Sequence, residues 1–164
     1  MLIDKPSAFE MTTPRSLLMY ISLIIIGFGA SIEAFLNRCE KGWVPFGRNC
    51  YKFSSSTATF KDAMIICNAY GGRLLELKSK WEESWLDLQC HVRGYKPGVW
   101  LGVSYSKEEG QFLSLSDARK PRYSNWIRGQ PDNAGKENCV SYWTSLGGWN
   151  DWSCTQKAYY VCEN

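Results

Sequence analysis

Seven cysteines in a chain of 164 residues constrain the fold more than any other feature of the sequence. So many cysteines in so short a chain indicate an oxidising compartment, where disulfides persist and support a modest hydrophobic core. Six paired cysteines can be connected in fifteen ways, so the sequence alone does not select the pairing. The odd cysteine predicts either a bridge to another chain or a thiol that stays reduced.

The first 34 residues are predicted to be a targeting segment and not part of the fold. Two basic residues precede an apolar run of twelve residues, Leu17–Phe28, and small residues follow it, which is the order found in a secretory signal peptide. The alternative is the signal anchor of a type II membrane protein whose domain lies outside the cell. A spanning helix needs about 20 mostly apolar residues, and Glu33 falls inside any such window that starts at Leu17. We therefore predict removal of residues 1–34 and secretion of the remainder.

Residues 39–163 are predicted to form one domain of the α+β class. A first helix is indicated by apolar side chains at positions i, i+3, i+4 and i+7 of a helical repeat. These side chains are Phe60, Ala63, Met64 and Cys67. Short apolar runs separated by Gly, Ser, Asn and Pro predict a hairpin around Gly47-Arg48-Asn49 and four later strands. The strands are expected at 100–103, 111–115, 139–143 and 159–162, with a long polar loop between Ser116 and Asn138.

A second helix is predicted to begin after Ser79. Ser79 and Glu82 have the spacing of a capping box, in which each side chain accepts a hydrogen bond from the backbone N–H of the other residue. Trp81, Trp85 and Leu88 follow at helical spacing, so we expect these three side chains to face the core.

Five oxygen-bearing side chains lie close together in the C-terminal part of the sequence. They are Gln130, Asp132, Glu137, Asn150 and Asp151. Three carboxylates and two amides match the mixed oxygen ligands that Ca²⁺ prefers in proteins. Zinc and copper fit poorly, because neither a thiolate nor an imidazole takes part. The sequence therefore predicts a calcium site.

A series of short motifs around these residues resembles the C-type lectin family, in the long form of its domain. In chain order the motifs are Cys39 and Cys50 with Trp43 and Tyr51, Trp100-Leu101-Gly102-Val103, Tyr123-Ser124-Asn125-Trp126, Gln130-Pro131-Asp132, and Trp149-Asn150-Asp151 ahead of Cys154. The resemblance implies a C-type lectin-like fold of two helices and two small antiparallel sheets, with a long calcium-binding loop region. It also implies three disulfides, which are Cys39–Cys50, Cys67–Cys162 and Cys139–Cys154. Cys90 would then be left to bridge a homodimer or to stay reduced in the core.

The same resemblance implies what the five oxygen-bearing residues do. They would hold one Ca²⁺ with open positions for two neighbouring sugar hydroxyls, with Pro131 in the cis form and Asp151 contributing its carboxylate and its backbone carbonyl. The order Gln-Pro-Asp goes in this family with galactose-type sugars, so glycans that end in galactose or N-acetylgalactosamine are the expected partners. The predicted sugar-binding residues are the five ligands and Trp149, whose ring would stack on the sugar. The alternative is a domain of the same fold that binds a protein or a surface without sugar.

Charge and histidine content argue against other classes of function. A formal charge of +3 with no extended basic cluster argues against a nucleic-acid partner. His91 is the single histidine, so no nucleophile–base pair can be built around it, and we predict that the chain is not an enzyme. The short basic run Arg119-Lys120-Pro121-Arg122 is typical of a solvated loop, although it would also favour anionic glycans such as sulfated sugars.

Overall fold

The computed structural model describes residues 39–107 and 111–164. Residues Glu40–Asn164 form one compact unit. The predicted targeting segment, residues 1–34, lies outside the described residues. Within the described part of the chain, no helix is both long enough and apolar enough to cross a membrane.

The first helix forms where the apolar repeat predicts it. Helix α1 spans Phe60–Ala69, and the hydroxyl of Thr59 caps it by accepting a hydrogen bond from the backbone N–H of Asp62 at 3.2 Å. The side chains of α1 that are buried are Phe60, Ala63 and Cys67. The chain then reverses at Gly71, whose φ of 74° lies in the left-handed region that glycine adopts without strain.

The second helix, α2, spans Lys80–Arg93 and begins at the predicted cap. The hydroxyl of Ser79 accepts a hydrogen bond from the backbone N–H of Glu82 at 3.2 Å. The other half of the capping box differs from the prediction, because the Glu82 carboxylate accepts from the backbone N–H of Lys78 at 2.7 Å instead of from that of Ser79. At its C-terminal end α2 stops at Gly94, again in the left-handed conformation.

The prediction of which side chains of α2 face the core is wrong for Trp81 and Leu88, whereas Trp85 packs against the core as predicted. Trp81 and Leu88 are 74% and 59% exposed, and Trp85 is half-buried. Both tryptophans stack on Phe46, with ring centroids 5.9 Å and 4.5 Å away. The buried side chains of α2 are Glu82, Glu83, Leu86 and Cys90.

Buried hydrogen-bond donors explain this orientation of α2. The hydroxyl of Tyr51 donates to the Glu82 carboxylate at 2.5 Å, and the indole N–H of Trp149 donates to the Glu83 carboxylate at 3.0 Å. Because buried polar groups are stable when they are hydrogen-bonded, two glutamates face inward. Hydrophobic periodicity alone predicts that these two glutamates lie on the solvent-facing side of α2.

Eight strands form one continuous sheet. They are β1 (Val44–Phe46), β2 (Asn49–Phe53), β3 (Arg73–Leu74), β4 (Gly98–Ser106), β5 (Gln111–Ser114), β6 (Cys139–Trp143), β7 (Gly148–Trp152) and β8 (Tyr159–Glu163). Their order is β1-β2-β8-β4-β6-β7, with β3 paired to β8 and β5 paired to β4. All of these pairs are antiparallel except β4 with β8. The two implied antiparallel sheets are therefore joined through the parallel contact between β4 and β8.

All the predicted strands are present. The described residues contain two further strands, β3 and β7, and β7 carries the motif Trp149-Asn150-Asp151. That motif lies within β7, which the sequence analysis treated only as a source of ligands. The predicted loop from Ser116 to Asn138 contains no helix or strand, apart from an isolated bridge between Trp126 and Trp149. This bridge holds the loop against β7.

Three disulfides connect the helices and strands as the resemblance implies. Cys67 of α1 is bonded to Cys162 of β8, and Cys139 of β6 is bonded to Cys154. Cys39 and Cys50 are disulfide-bonded as well. Since Cys90 is free, Cys39 and Cys50 form the third pair.

The predicted homodimer bridge through Cys90 is wrong. The Cys90 side chain is fully buried on the inner side of α2. Burial also raises the pKa of its thiol to about 12. A buried and protonated thiol is inert to disulfide exchange, so the alternative of a reduced cysteine in the core is confirmed.

Replacing Ser79 by alanine is expected to lower the free energy of unfolding by about 1 kcal/mol. The Ser79 hydroxyl satisfies the backbone N–H of Glu82, and alanine leaves that donor without its partner. Urea unfolding followed by tryptophan fluorescence would measure the loss. Ser55→Ala is a matched control, because Ser55 is exposed and lies outside any helix or strand. Equal effects of the two substitutions would contradict the role of Ser79 as a cap.

Candidate functional site

One hairpin and one loop bring the predicted ligands together. In the hairpin of β6 and β7, Asp151 lies opposite Val140. Glu137 precedes the first residue of β6 by two positions, so strand pairing places it near Asp151. The Cys139–Cys154 disulfide fixes the same end of the hairpin. The loop before β6 supplies Gln130 and Asp132, and β7 supplies Asn150.

Three carboxylates meet at one point of this region. Asp132, Glu137 and Asp151 each offer one oxygen, and these oxygens lie within 4.8 Å of one another. Because Ca²⁺ binds oxygen at about 2.3–2.6 Å, oxygens with this separation can share one ion. Asp151 is buried, Glu137 is half-buried and Asp132 is exposed. The cluster is therefore anchored in the sheet and open on the side of Asp132.

Backbone N–H groups of the loop orient the carboxylates. The Asp151 carboxylate accepts hydrogen bonds from the backbone N–H of Asp132 at 3.3 Å and from that of Asn133 at 2.6 Å. The side-chain oxygen of Gln130 accepts from the backbone N–H of Asp132 at 3.2 Å, and its amide donates to the Asp132 carboxylate at 3.3 Å. The peptide bond between Gln130 and Pro131 is cis, as the resemblance implies.

Asn150 is half-buried and lies next to Asp151 on β7. Its amide nitrogen donates to the backbone carbonyl of Asp151 at 2.5 Å. The nitrogen keeps a second N–H as a donor, and the amide oxygen of Asn150 is the atom that can bind a cation. The carbonyl oxygen of Asp151, implied as a further ligand, keeps a second lone pair.

The cluster carries negative charge that no basic side chain neutralises. Burial raises the pKa of Glu137, and the charges of Asp151 and Asp132 raise it further. The ion pairs among the described residues lie elsewhere and involve the carboxylates of Glu163, Glu83 and Asp87. A divalent cation between the three carboxylates would remove their mutual repulsion. The donor set therefore fits Ca²⁺.

Trp149 does not face the surface, so its predicted role as a sugar-stacking ring is wrong. Its side chain is completely buried, and its indole N–H donates to Glu83. The rings of Tyr123 and Trp126 pack edge-on against it, with centroids 6.1 Å and 5.7 Å away. Trp149 therefore belongs to the core beneath the site.

A pocket beside the carboxylate cluster was missed by the sequence analysis. This pocket, which we call the side pocket, has a volume of about 440 Å³, and its lining includes Tyr105, Phe112, Lys120, Trp126, Pro131 and Asp132. Its aromatic residues lie far apart along the chain. Tyr105 and Phe112 pair directly across the β4–β5 hairpin, but the predicted strand ended at Val103 whereas β4 continues to Ser106, so the sequence did not indicate this pair.

Comparisons with known proteins agree with this architecture. The model of the Lectin C-type domain matches residues 56–164. The chain is 34% identical over 156 residues to a perlucin-like protein of Mytilus galloprovincialis. The aligned region covers 93% of this chain and 99% of that protein. It is 30% identical over 141 residues to CD209 antigen-like protein A of Mus musculus, and the aligned region covers 82% of this chain but only 55% of that protein. Among solved structures, the carbohydrate-recognition domain of cow CD23 superposes on this chain with a TM-score of 0.68 at 31% identity. The superposition covers 77% of this chain and 95% of the CD23 chain, whose structure was determined in the presence of a GlcNAc2Man3 oligosaccharide.

Two helices, a continuous sheet, three disulfides and a loop-borne oxygen cluster define a C-type lectin-like domain. The chain belongs to the C-type lectin family, because the family model covers most of its length and relatives match well beyond the motifs. The predicted family and fold are confirmed. C-type lectins are carbohydrate-binding proteins and not enzymes, and membership of the family supports a non-enzymatic binding role for the chain.

Proposed function

We propose that this domain binds Ca²⁺ through Gln130, Asp132, Glu137, Asn150 and Asp151 and uses the ion to hold a sugar. The observation that carries the proposal is the convergence of three carboxylates within 4.8 Å without a basic partner. Acidic side chains that nothing fixes on a surface repel one another and point apart into solvent. These three carboxylates are instead held together by a strand, a disulfide and backbone N–H groups.

The residues of the site have separate tasks in this proposal. A bound Ca²⁺ would supply open coordination positions for two neighbouring sugar hydroxyls. Asp151, buried and fixed by two N–H groups, sets the position of the ion. Asp132 is exposed and can accept a hydrogen bond from a sugar hydroxyl, while the amides of Gln130 and Asn150 can donate one. Each hydroxyl would thus be bound by the metal and by a side chain.

We further propose a preference for galactose or N-acetylgalactosamine. The support is the order of the motif, which places an amide at 130 and a carboxylate at 132. Exchanging the two groups would exchange the donor and acceptor sides of the site, and with them the preferred pair of sugar hydroxyls. A mannose-containing oligosaccharide accompanies the cow CD23 domain, so mannose is the competing ligand.

Retention on immobilised sugars in the presence of calcium tests both proposals. We expect the domain of residues 39–164 to be retained on galactose resin and to be released by EDTA. Retention on mannose resin alone would keep the calcium mechanism and contradict the specificity. If neither resin retains the domain while calorimetry still shows calcium binding, the alternative of a domain that binds a protein or a surface without sugar would replace the lectin proposal.

Secretion of the mature domain is also a proposal. Its support is the three disulfides of the described residues, which persist in an oxidising compartment. Expression of the full chain in eukaryotic cells should yield protein in the medium whose intact mass shows the loss of residues 1–34. Retention in the membrane fraction at full length would favour the type II membrane alternative.

A further inference from the structure

The side pocket is continuous with the candidate calcium site. Asp132 belongs to both, since it is one of the three clustered carboxylates and also lines the side pocket. Pro131 forms the wall next to it. A volume of about 440 Å³ lies in the range of sites for small ligands, about 300–1,000 Å³. A sugar held at the cluster would therefore have part of its surface against this pocket.

Aromatic rings form one wall of the side pocket. Tyr105, Phe112 and Trp126 are half-buried, so each presents part of its ring. The ring centroids are 5.4 Å apart for Tyr105 and Phe112, and 5.1 Å apart for Phe112 and Trp126. Such rings bind apolar C–H surfaces while their neighbours bind polar groups, which suits a carbohydrate ring or its exocyclic carbon.

A lysine at the side pocket gives it a positive charge. Lys120 is exposed and takes part in none of the ion pairs formed among the described residues. The stretch 116–128 has one acidic residue, Asp117, and its basic residues are Arg119, Lys120, Arg122 and Arg128. Of these four basic residues, Lys120 lines the side pocket, whose lining also includes the acidic Asp132. A neutral sugar can only accept hydrogen bonds from this ammonium, whereas an anionic sugar can also form an ion pair with it.

We propose that the side pocket binds an anionic group, a sulfate ester or a carboxylate, carried by the sugar that occupies the calcium site, with Lys120 as the recognising cation. The inference rests on the proposed function, because calcium positions the sugar. If ring hydroxyls 3 and 4 bind the ion, the exocyclic C6 position remains to carry the anionic group. Sulfate and carboxylate share the chemistry that a lysine ammonium recognises.

Calorimetry on the domain in calcium with six monosaccharides tests the inference. The probes are galactose, galactose 6-sulfate and galacturonic acid, with mannose, mannose 6-sulfate and mannuronic acid in parallel. We expect at least one acidic sugar to bind about fivefold more tightly than its neutral parent, which is the scale of a solvent-exposed ion pair. The ratio should fall to about one in Lys120→Gln and in 0.5 M NaCl, because salt screens exposed charges.

Lys157→Gln is the matched control for Lys120→Gln. Lys157 is exposed and precedes β8, and it does not line the side pocket. The acidic-to-neutral affinity ratio of this variant should equal that of the unmodified domain.

The outcomes separate this inference from the proposed function. If no neutral sugar binds in calcium, the proposed function fails. If a neutral sugar binds but neither of its acidic forms binds more tightly, only the present inference is overturned. A preference that survives Lys120→Gln would also overturn it. Tighter binding of the sulfate alone, or of the uronic acid alone, supports the inference and identifies the anion.

Discussion

Replacing Asp151 by asparagine is expected to weaken calcium binding by more than about 100-fold, since even outer-shell substitutions at metal sites cost about 10–100-fold. Asp151 is the buried member of the three clustered carboxylates. Asparagine has nearly the same shape but removes one negative charge, and its amide nitrogen cannot bind a cation. The backbone N–H groups of Asp132 and Asn133, which both donate to this carboxylate, would also compete for a single remaining acceptor oxygen.

Isothermal titration calorimetry with CaCl₂ would measure this loss. Asp117→Asn is the matched control, because Asp117 lies in the same loop and accepts a hydrogen bond from the backbone N–H of Arg119 at 3.0 Å. Asp117 is not part of the carboxylate cluster, so its substitution should leave the calcium affinity within about twofold. Unchanged near-UV circular dichroism would show that both variants fold. A wild-type calcium affinity in Asp151→Asn would refute the site.

The features that the sequence predicted well are those with strong local or covalent signals. The helix cap at Ser79 depends on two residues three positions apart, so it is visible in any short window. The family motifs fixed the disulfides and the cis bond before Pro131, although spacing alone left the disulfide pairing open. Ligand chemistry identified the three carboxylates that the fold brings together.

The features that the sequence did not predict depend on partners far away along the chain. The inward orientation of Glu82 and Glu83 requires donors from Tyr51 and Trp149. Tyr51 lies 31 residues from Glu82 and Trp149 lies 66 residues from Glu83, so a helical repeat of apolar residues pointed to the wrong side. The parallel pairing of β4 with β8 and the aromatic wall of the side pocket are missed for the same reason. Tertiary hydrogen bonds outweigh local hydrophobic periodicity here.

The Glu83 side chain connects α2 to the 116–138 loop and to β7 beneath the site. Its side chain is 1% exposed. One carboxylate oxygen accepts from the side-chain amide of Asn125 at 2.7 Å, and the other accepts from the indole N–H of Trp149 at 3.0 Å. Asn125 belongs to the long loop, and its carbonyl accepts from the backbone N–H of Trp149 at 2.7 Å. Burial of the Tyr123 hydroxyl and the negative charge of Glu83 raise the pKa of Tyr123, which lies in the same loop.

Replacing Glu83 by alanine is therefore expected to lower the free energy of unfolding by about 3 kcal/mol. The substitution leaves the buried indole N–H of Trp149 without its acceptor, which costs about 1–3 kcal/mol. It also removes one of the two hydrogen bonds that the side-chain amide of Asn125 donates. The 116–138 loop should therefore become more susceptible to trypsin after Arg119, Arg122 and Arg128. Urea unfolding and limited proteolysis would measure the two effects.

The ion pair of Glu83 with Lys80 provides the control that separates burial from charge. Lys80 lies 2.8 Å from the Glu83 carboxylate, but its side chain is 68% exposed. Lys80→Ala removes the ion pair and keeps the hydrogen bonds from Asn125 and Trp149, so it should cost no more than about 1 kcal/mol. If the two substitutions destabilise the domain equally, the ion pair and not the buried hydrogen bonds would hold the loop. A larger loss of unfolding free energy in Glu83→Ala than in Lys80→Ala, with faster cleavage of the loop, would show that a carboxylate on α2 supports the proposed ligand-binding surface.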